Sequence, residues 1–228
     1  MIRCIVIGLG NFGLNTAKTL SMNGAEVLGI DTDKDTVQRA KDFITHAVIG
    51  DASNRSVLMS LSLREFDAAV VSIGQEMAES ILISLYLKEI GVRRIFVRAI
   101  SEDHEKILRM IGVSDIIFPE KDMAIRVGNI LSMKNTLDYL PLTEDYAIME
   151  VNPPKGFIGK SLKELEITNQ YGCYVLGIRF PESSVNYING SDNQIKTRMA
   201  PQATDIIPAG CVLIMLGKNK DIEKIQNL

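Results

Sequence analysis

The stretch Arg3-Cys4-Ile5-Val6-Ile7-Gly8-Leu9-Gly10-Asn11-Phe12-Gly13 decides the fold. A short β-branched run, buried by its composition on both sides, is followed at once by three glycines in the spacing GxGxxG and then by a helical pattern over Phe12–Met22. The three glycines differ in what they make possible. Gly8 permits a tight turn, Gly10 lets the backbone approach a pyrophosphate, and Gly13 lets the helix lie close to the strand. The helix start offers N–H groups and a partial positive charge to phosphate. Asp31 ends the next apolar run, EVLGID, at about the 20-residue spacing at which a carboxylate accepts ribose hydroxyls.

Working outward, the alternation continues. Helical patterns over Lys34–Lys41, Arg55–Leu61, Glu76–Ile90 and about Glu102–Met110 separate the strand-like runs THAVIG, DAAVVSIG, RIFVRA and SDIIF. Strands that alternate with helices form a parallel sheet, because each needs a crossover to return to the same edge. About six strands are predicted in a Rossmann-like, doubly wound α/β arrangement. Lys121–Met133 reads as one more amphipathic helix, so residues 1–134 form the predicted nucleotide-binding domain. Residues 135–143 fit a linker, and 144–228 a small α+β domain: YAIMEV, the turn-rich NPPKGFIG, a short helix SLKEL, GCYVLGI, a polar loop over Pro181–Ala200, CVLIMLG and a last helix Lys220–Gln226.

Several polar residues fall at strand ends, where open α/β sheets bind ligands. For Asp31 two readings stand, ribose acceptor or cap for the helix near Asp33. For Asp51, in IGDAS, the choice is between receiving the adenine amine and making a turn before Ser53. Arg98 meets a phosphate or pairs with Glu102 or Asp103, and Glu120 holds a divalent cation or belongs to the start of the following helix. An acid at position 31 disfavours NADP, whose 2′-phosphate it would repel.

The composition excludes other classes. A net charge of −3 over 228 residues supplies no positive field for nucleic acid. Cys4, Cys173 and Cys211 are scattered in apolar stretches without zinc-ligand spacing, as expected of reduced core thiols in a cytoplasmic protein. No apolar run approaches the roughly 20 residues that span a bilayer, and MIRCIVIG leads into a strand rather than a signal-peptide cleavage site. A nicotinamide oxidoreductase is the alternative that such a fold invites. The two imidazoles, His46 and His104, lie on an apolar strand and a charged helix, however, and no cluster of acids, bases or nucleophiles emerges.

The runs IVIGLGNFGLNTAKTL, EVLGIDTD, THAVIGDAS, VVSIG, LKEIGVRRIFVRA and especially IGVSDIIFPEKDMAIRV resemble the cytoplasmic regulatory subunits of Ktr/Trk-type potassium transporters, the RCK or KTN proteins. The resemblance continues through KSLKELEI, YGCYVLGIRF and IIPAGCVLIMLGKNKDIEKI, which are similar to the RCK C-terminal subdomain. It implies a non-enzymatic regulator that binds adenine nucleotides, ATP/ADP or NAD(H); Mg or Ca with the nucleotide, held at Glu120, is expected on separate grounds, because Asn11 leaves the terminal phosphate in need of another partner. The resemblance further implies a dimer-built homo-oligomer, an octameric ring in the best-known cases, docked on the inner face of a membrane potassium-translocating subunit. Carried over, the binding residues are Gly8, Gly10, Asn11, Phe12, Gly13, Asp31, Asp51, Ala52, Arg98 and Glu120, and Lys121–Met133 is the crossover helix of paired lobes. Two departures stand out. Asn11 replaces the arginine common in Ktr-type members at the terminal phosphate of ATP, and Ile167-Thr168-Asn169-Gln170 lacks the arginine used for cyclic di-AMP by some relatives.

Overall fold

The computed structural model describes residues 1–74, 76–133, 135–180 and 197–228, which divide into two compact units, Met1–Pro119 and Glu120–Leu228. In the first unit the elements alternate as expected: β1 (Arg3–Ile7), α1 (Asn11–Met22), β2 (Glu26–Asp31), α2 (Lys34–Ala40), β3 (His46–Ile49), α3 (Arg55–Ser60), β4 (Ala68–Val71), α4 (Met77–Ile90), β5 (Arg94–Arg98), α5 (Glu102–Ile111) and β6 (Asp115–Ile117). The strands form one parallel sheet in the order β3-β2-β1-β4-β5-β6.

The continuous apolar runs are explained by burial on both faces. Along β1, Ile5 and Ile7 join Ile30, Leu58, Ile83, Leu87 and Leu108 in one core, while Val6 joins Leu9, Ala17, Val27, Val37 and Val70 in the other. This is the two-residue side-chain period of a strand with no solvent face. Each fully buried aliphatic side chain contributes about 1.5–3 kcal/mol. Local signals set the helix limits. Asp33, Asn54 and Ser101 cap α2, α3 and α5 by accepting from the N–H groups of Thr36, Ser56 and His104, and left-handed Gly91 and Gly112 end α4 and α5.

After β1 the chain builds outward to β3, then returns to place β4 on the other side of β1. The carboxyl ends of β1 and β4 therefore flank the crevice at which the winding reverses. Gly8, at φ +85°, makes the turn out of β1, and a Cβ on it would lie 2.7 Å from the Ser72 carbonyl oxygen. A Cβ at Gly13 would lie 1.9 Å from the Gly8 carbonyl oxygen, so α1 approaches the strand as closely as it does only because position 13 has no side chain.

The second unit contains most of α6 (Pro119–Ser132), then β7 (Thr136–Pro141), β8 (Tyr146–Val151), α7 (Leu162–Leu165), α8 (Ile167–Tyr171), β9 (Tyr174–Arg179), β10 (Thr197–Met199), β11 (Val212–Lys218) and α9 (Asn219–Gln226). Its sheet is antiparallel, in the order β10-β9-β11-β8-β7, over a core of Met149, Val151, Phe157, Ile178, Leu213, Met215, Ile222 and Ile225. The three cysteines are buried and unpaired with one another. Burial pushes the Cys173 and Cys211 thiols up to about 11.

One expectation is corrected. The segment 135–143 is not a linker, because Thr136–Pro141 forms an edge strand paired with β8. Leu142 and Thr143 close the hairpin by donating their N–H groups to the Tyr146 carbonyl, at 2.9 and 3.1 Å. A register shift between Thr136 and Asp138 breaks the period-2 pattern, Leu137 and Leu140 are exposed, and Pro141 is tolerated at an edge. Most of the polar loop expected over Pro181–Ala200 lies outside the described residues; its last part includes β10.

Replacing Gly13 by alanine forces backbone apart at the Gly8 carbonyl and is expected to cost at least about 1–3 kcal/mol in urea unfolding. Gly10 has φ −62°, and a Cβ there would meet nothing within 4 Å, so Gly10→Ala is expected to unfold like the parent protein. Equal stability of the two variants would show that the close helix–strand approach is not a constraint.

Candidate functional site

The switch point holds a cleft of about 280 Å³, near the lower end of the range for small-molecule sites, about 300 Å³. Its floor and rim come from five strand ends and one helix. After β1 come Gly8, Gly10 and Phe12, and at the end of β2 come Asp31 and Thr32. The loop after β3 supplies Gly50, Asp51 and Ala52, and that after β4 Ser72, Ile73 and Gly74, with Arg98 from β5 and Glu79 from α4.

The Asp31 carboxylate is fixed from two sides. One oxygen accepts the Leu9 N–H at 2.6 Å and the other accepts the Asp33 N–H at 2.9 Å. The first bond ties the end of β2 to the glycine turn, so the acid and the turn are positioned as one piece. A carboxylate has about four acceptor sites, so these two bonds leave it able to accept further donors. The capping role belongs to Asp33, whose side chain accepts from Thr36 at 2.6 Å, and not to Asp31.

At Asp51 the turn reading is seen directly. Its Oδ1 accepts both the hydroxyl and the N–H of Ser53, at 2.6 and 2.8 Å, and the two bonds hold its carboxyl below the ordinary carboxylate range. The residue is exposed and lines the cleft, so the turn leaves the carboxylate able to accept a further donor.

Neither α1 nor α4 has a side-chain cap, whereas α2, α3 and α5 do; α1, with Gly10 as its N-cap, also has no acidic residue in its first turn, where α4 has Glu79. The first N–H groups of α1 are therefore arranged for an anion from outside the helix.

Of the ten residues expected from sequence, Gly8, Gly10, Phe12, Asp31, Asp51, Ala52 and Arg98 come together around the cleft. Gly13 is buried behind it as a packing residue. Asn11 is exposed at the start of α1 and is not part of the cleft wall. Glu120 stands in the first turn of α6, in the second unit. Among the described residues no group of three or more His, Cys, Asp or Glu side chains gathers to hold a metal ion, so the divalent cation expected at Glu120 finds no such cluster behind it.

Ser72, Ile73, Gly74 and Glu79 join the cleft wall in addition to the residues expected from sequence. The signal that points to the first three is the VVSIG run, which ends β4 beside β1 and therefore opens on the switch point. His46 is exposed on edge strand β3. His104 is 1 % exposed, and its Nδ1 accepts the Ile100 N–H at 3.4 Å.

Residues 4–119 match the TrkA-N domain and residues 146–228 the TrkA-C domain. The chain is 38 % identical over 221 residues to Ktr system potassium uptake protein C of Bacillus subtilis (strain 168), with 97 % of the chain and 94 % of that protein covered. It is 35 % identical over 222 residues to Ktr system potassium uptake protein A of the same organism, with the same coverage of both chains. Among solved structures, the GsuK channel bound to NAD shares the fold with a TM-score of 0.55 at 21 % identity, over 100 % of this chain and 38 % of the channel chain.

Burial lowers the His104 pKa, so the unfolded chain takes up its proton first as pH falls. The stability that the neutral ring contributes is complete above the ordinary value of about 6.5 and is lost below it. Urea unfolding at pH 7.5 and 5.5 is expected to show a fall that is smaller in His104→Gln. Identical falls in the two proteins would contradict a buried, neutral imidazole.

Proposed function

Because the chain belongs to the Ktr/Trk family of potassium uptake proteins, built from TrkA-N and TrkA-C domains, we propose that it is a nucleotide-sensing regulatory subunit. An adenine nucleotide, ATP/ADP or NAD(H), occupies the β1/β4 cleft and controls a membrane potassium-translocating partner. The chain works as a homo-oligomer on the cytoplasmic side of that partner. No helix among the described residues is long and apolar enough to cross a membrane, and this reading assigns the membrane path to the partner.

The observation that carries the reading is the Asp31 carboxylate, held by the Leu9 N–H of the glycine turn at the mouth of an uncapped helix. A ribose diol needs an acceptor at a fixed distance from phosphate donors, and the Leu9–Asp31 bond sets that distance before any ligand arrives. The names of the relatives supply potassium uptake, and the NAD-bound state of a protein with this fold supports a nucleotide in the cleft. Arg98 and the first turn of α1 take the phosphates, and Asp51 takes a donor of the base. Control then requires only that the nucleotide bind two conformations unequally.

Calorimetry with ATP, ADP and NADH is expected to give binding that weakens at least about tenfold in Asp31→Ala, since a hydrogen bond to a charged group contributes about 1.5–3 kcal/mol. The parent protein is expected to bind NADH more tightly than NADPH. A tagged copy is expected to retain a multi-span potassium transporter from detergent-solubilised membranes. Absence of nucleotide binding would overturn the ligand assignment, and steady turnover of NADH on a metabolite would overturn the regulatory one.

A further inference from the structure

Ser72 follows the last residue of β4 and lines the cleft, yet it is only 4 % exposed. Its backbone is pinned, with the N–H donating to the Ile7 carbonyl at 2.7 Å. Its carbonyl oxygen and Cβ lie 2.7 Å and 3.3 Å from where Cβ atoms at Gly8 and Gly13 would stand. Ser72 thus stands beside the glycine turn, its carbonyl next to Gly8 and its Cβ next to Gly13. Its Oγ is buried and has no hydrogen-bond partner among the described residues.

A buried hydroxyl in that state costs the folded protein the desolvation of a polar group with nothing in return. Folded chains rarely leave such a group unsatisfied, and the few that exist call for a reason. Here the reason lies a few ångströms away, in the cleft that Ser72 itself lines. Serine changes χ1 between staggered positions without moving its backbone, so its hydroxyl can turn from the packed interior toward a ligand.

We propose that Ser72 is a specificity-determining donor whose hydroxyl is unsatisfied in the ligand-free protein and bonds a phosphate oxygen when the nucleotide is in place. The inference rests on the nucleotide reading given above and assigns a role to a residue on the far side of the switch point from Asp31. The phosphate is chosen over base or ribose because Ser72 touches Gly8 and Gly13, the turn that leads into the uncapped start of α1. Asp31 fixes the ribose side, and Ser72 then makes the opposite wall responsive to the phosphate chain. Ligand binding also removes the penalty of the orphaned hydroxyl, so affinity gains from both the new bond and the relief.

Two opposite effects of one substitution follow. Ser72→Ala deletes the unsatisfied group, so the ligand-free chain is expected to melt about 2–4 °C higher. The same variant loses the bond, so its affinity for ADP is expected to fall about tenfold or more, while its affinity for adenosine is unchanged. Ser80 is the control: it is 1 % exposed, its Oγ is likewise unpartnered among the described residues, and it is not part of the cleft wall. Ser80→Ala is expected to raise the melting temperature and leave both affinities as they were.

Calorimetry and thermal unfolding of the full chain decide the matter. Unchanged ADP affinity in Ser72→Ala, with the parent protein binding normally, overturns the proposal and leaves the nucleotide reading intact. So does an equal loss of adenosine and ADP, which removes the hydroxyl from the phosphates, or a lower melting temperature, which shows that the hydroxyl is already satisfied without ligand. If the parent protein binds neither ADP nor adenosine, the nucleotide reading itself falls, and this proposal with it.

Discussion

The close contact of two backbones, Gly13 of α1 against the Gly8 carbonyl, is the constraint from which the first unit is built. It sets the height of α1 over the sheet, and with it the direction in which the uncapped helix start points. Gly8 then has to turn with positive φ, and Ser72 has to pack against the turn from β4. Position 8 meets a neighbouring backbone carbonyl as well as a left-handed conformation, so a side chain there would be refused twice. Position 10, in contrast, faces open space, and its glycine keeps the cleft clear without serving the fold.

The same geometry explains which parts are legible from sequence. GxGxxG and Asp31 can be read because what they do is local: a turn, a helix start, and a carboxylate one strand and one helix later. The alternation of buried runs with helices is readable for a similar reason, since β1, β2 and β4 are apolar on both faces and a parallel sheet covered by helices on each side hides both. Ser72 and Glu79 are far from Gly8 in the chain, and only the strand order β2-β1-β4 brings them beside it. A pattern read along the chain marks where β4 ends but not which strand stands next to it. The edge strand β7 is hidden by the opposite problem, a locally irregular register with exposed Leu137 and Leu140, in which neither face reads as core.

The second unit solves the problem of a small sheet differently. Its strands are antiparallel and one-sided, with Ala147, Met149 and Val151 alternating inward along β8. Charged residues are matched across strands: Arg179 on β9 forks onto Glu150 on β8, and Arg126 on α6 forks onto Asp138 on β7. The Arg126 guanidinium holds the Asp138 carboxyl below the ordinary range. A buried hydrogen bond from Gln226 to the Thr136 hydroxyl, 2.6 Å long, ties the last helix back to the first strand of this sheet.

α6 is the longest described helix of the second unit and lies at its surface. None of its residues is buried, although Ile130 packs against the core near its end. The Arg126–Asp138 pair leaves its side chains 39 % and 35 % exposed, and pairs so open to solvent contribute about 0.2–1 kcal/mol. That pair by itself holds α6 far less firmly than burial holds β8 and β11, whose alternate side chains are fully buried. The helix begins at Pro119, the residue at which the first unit ends. A ligand changes the populations of two conformations only by the difference in its affinity for them, and each 1.4 kcal/mol of that difference is about a factor of ten. An interaction the size of the exposed Arg126–Asp138 pair is therefore small beside a hydrogen bond to a charged group, which contributes about 1.5–3 kcal/mol.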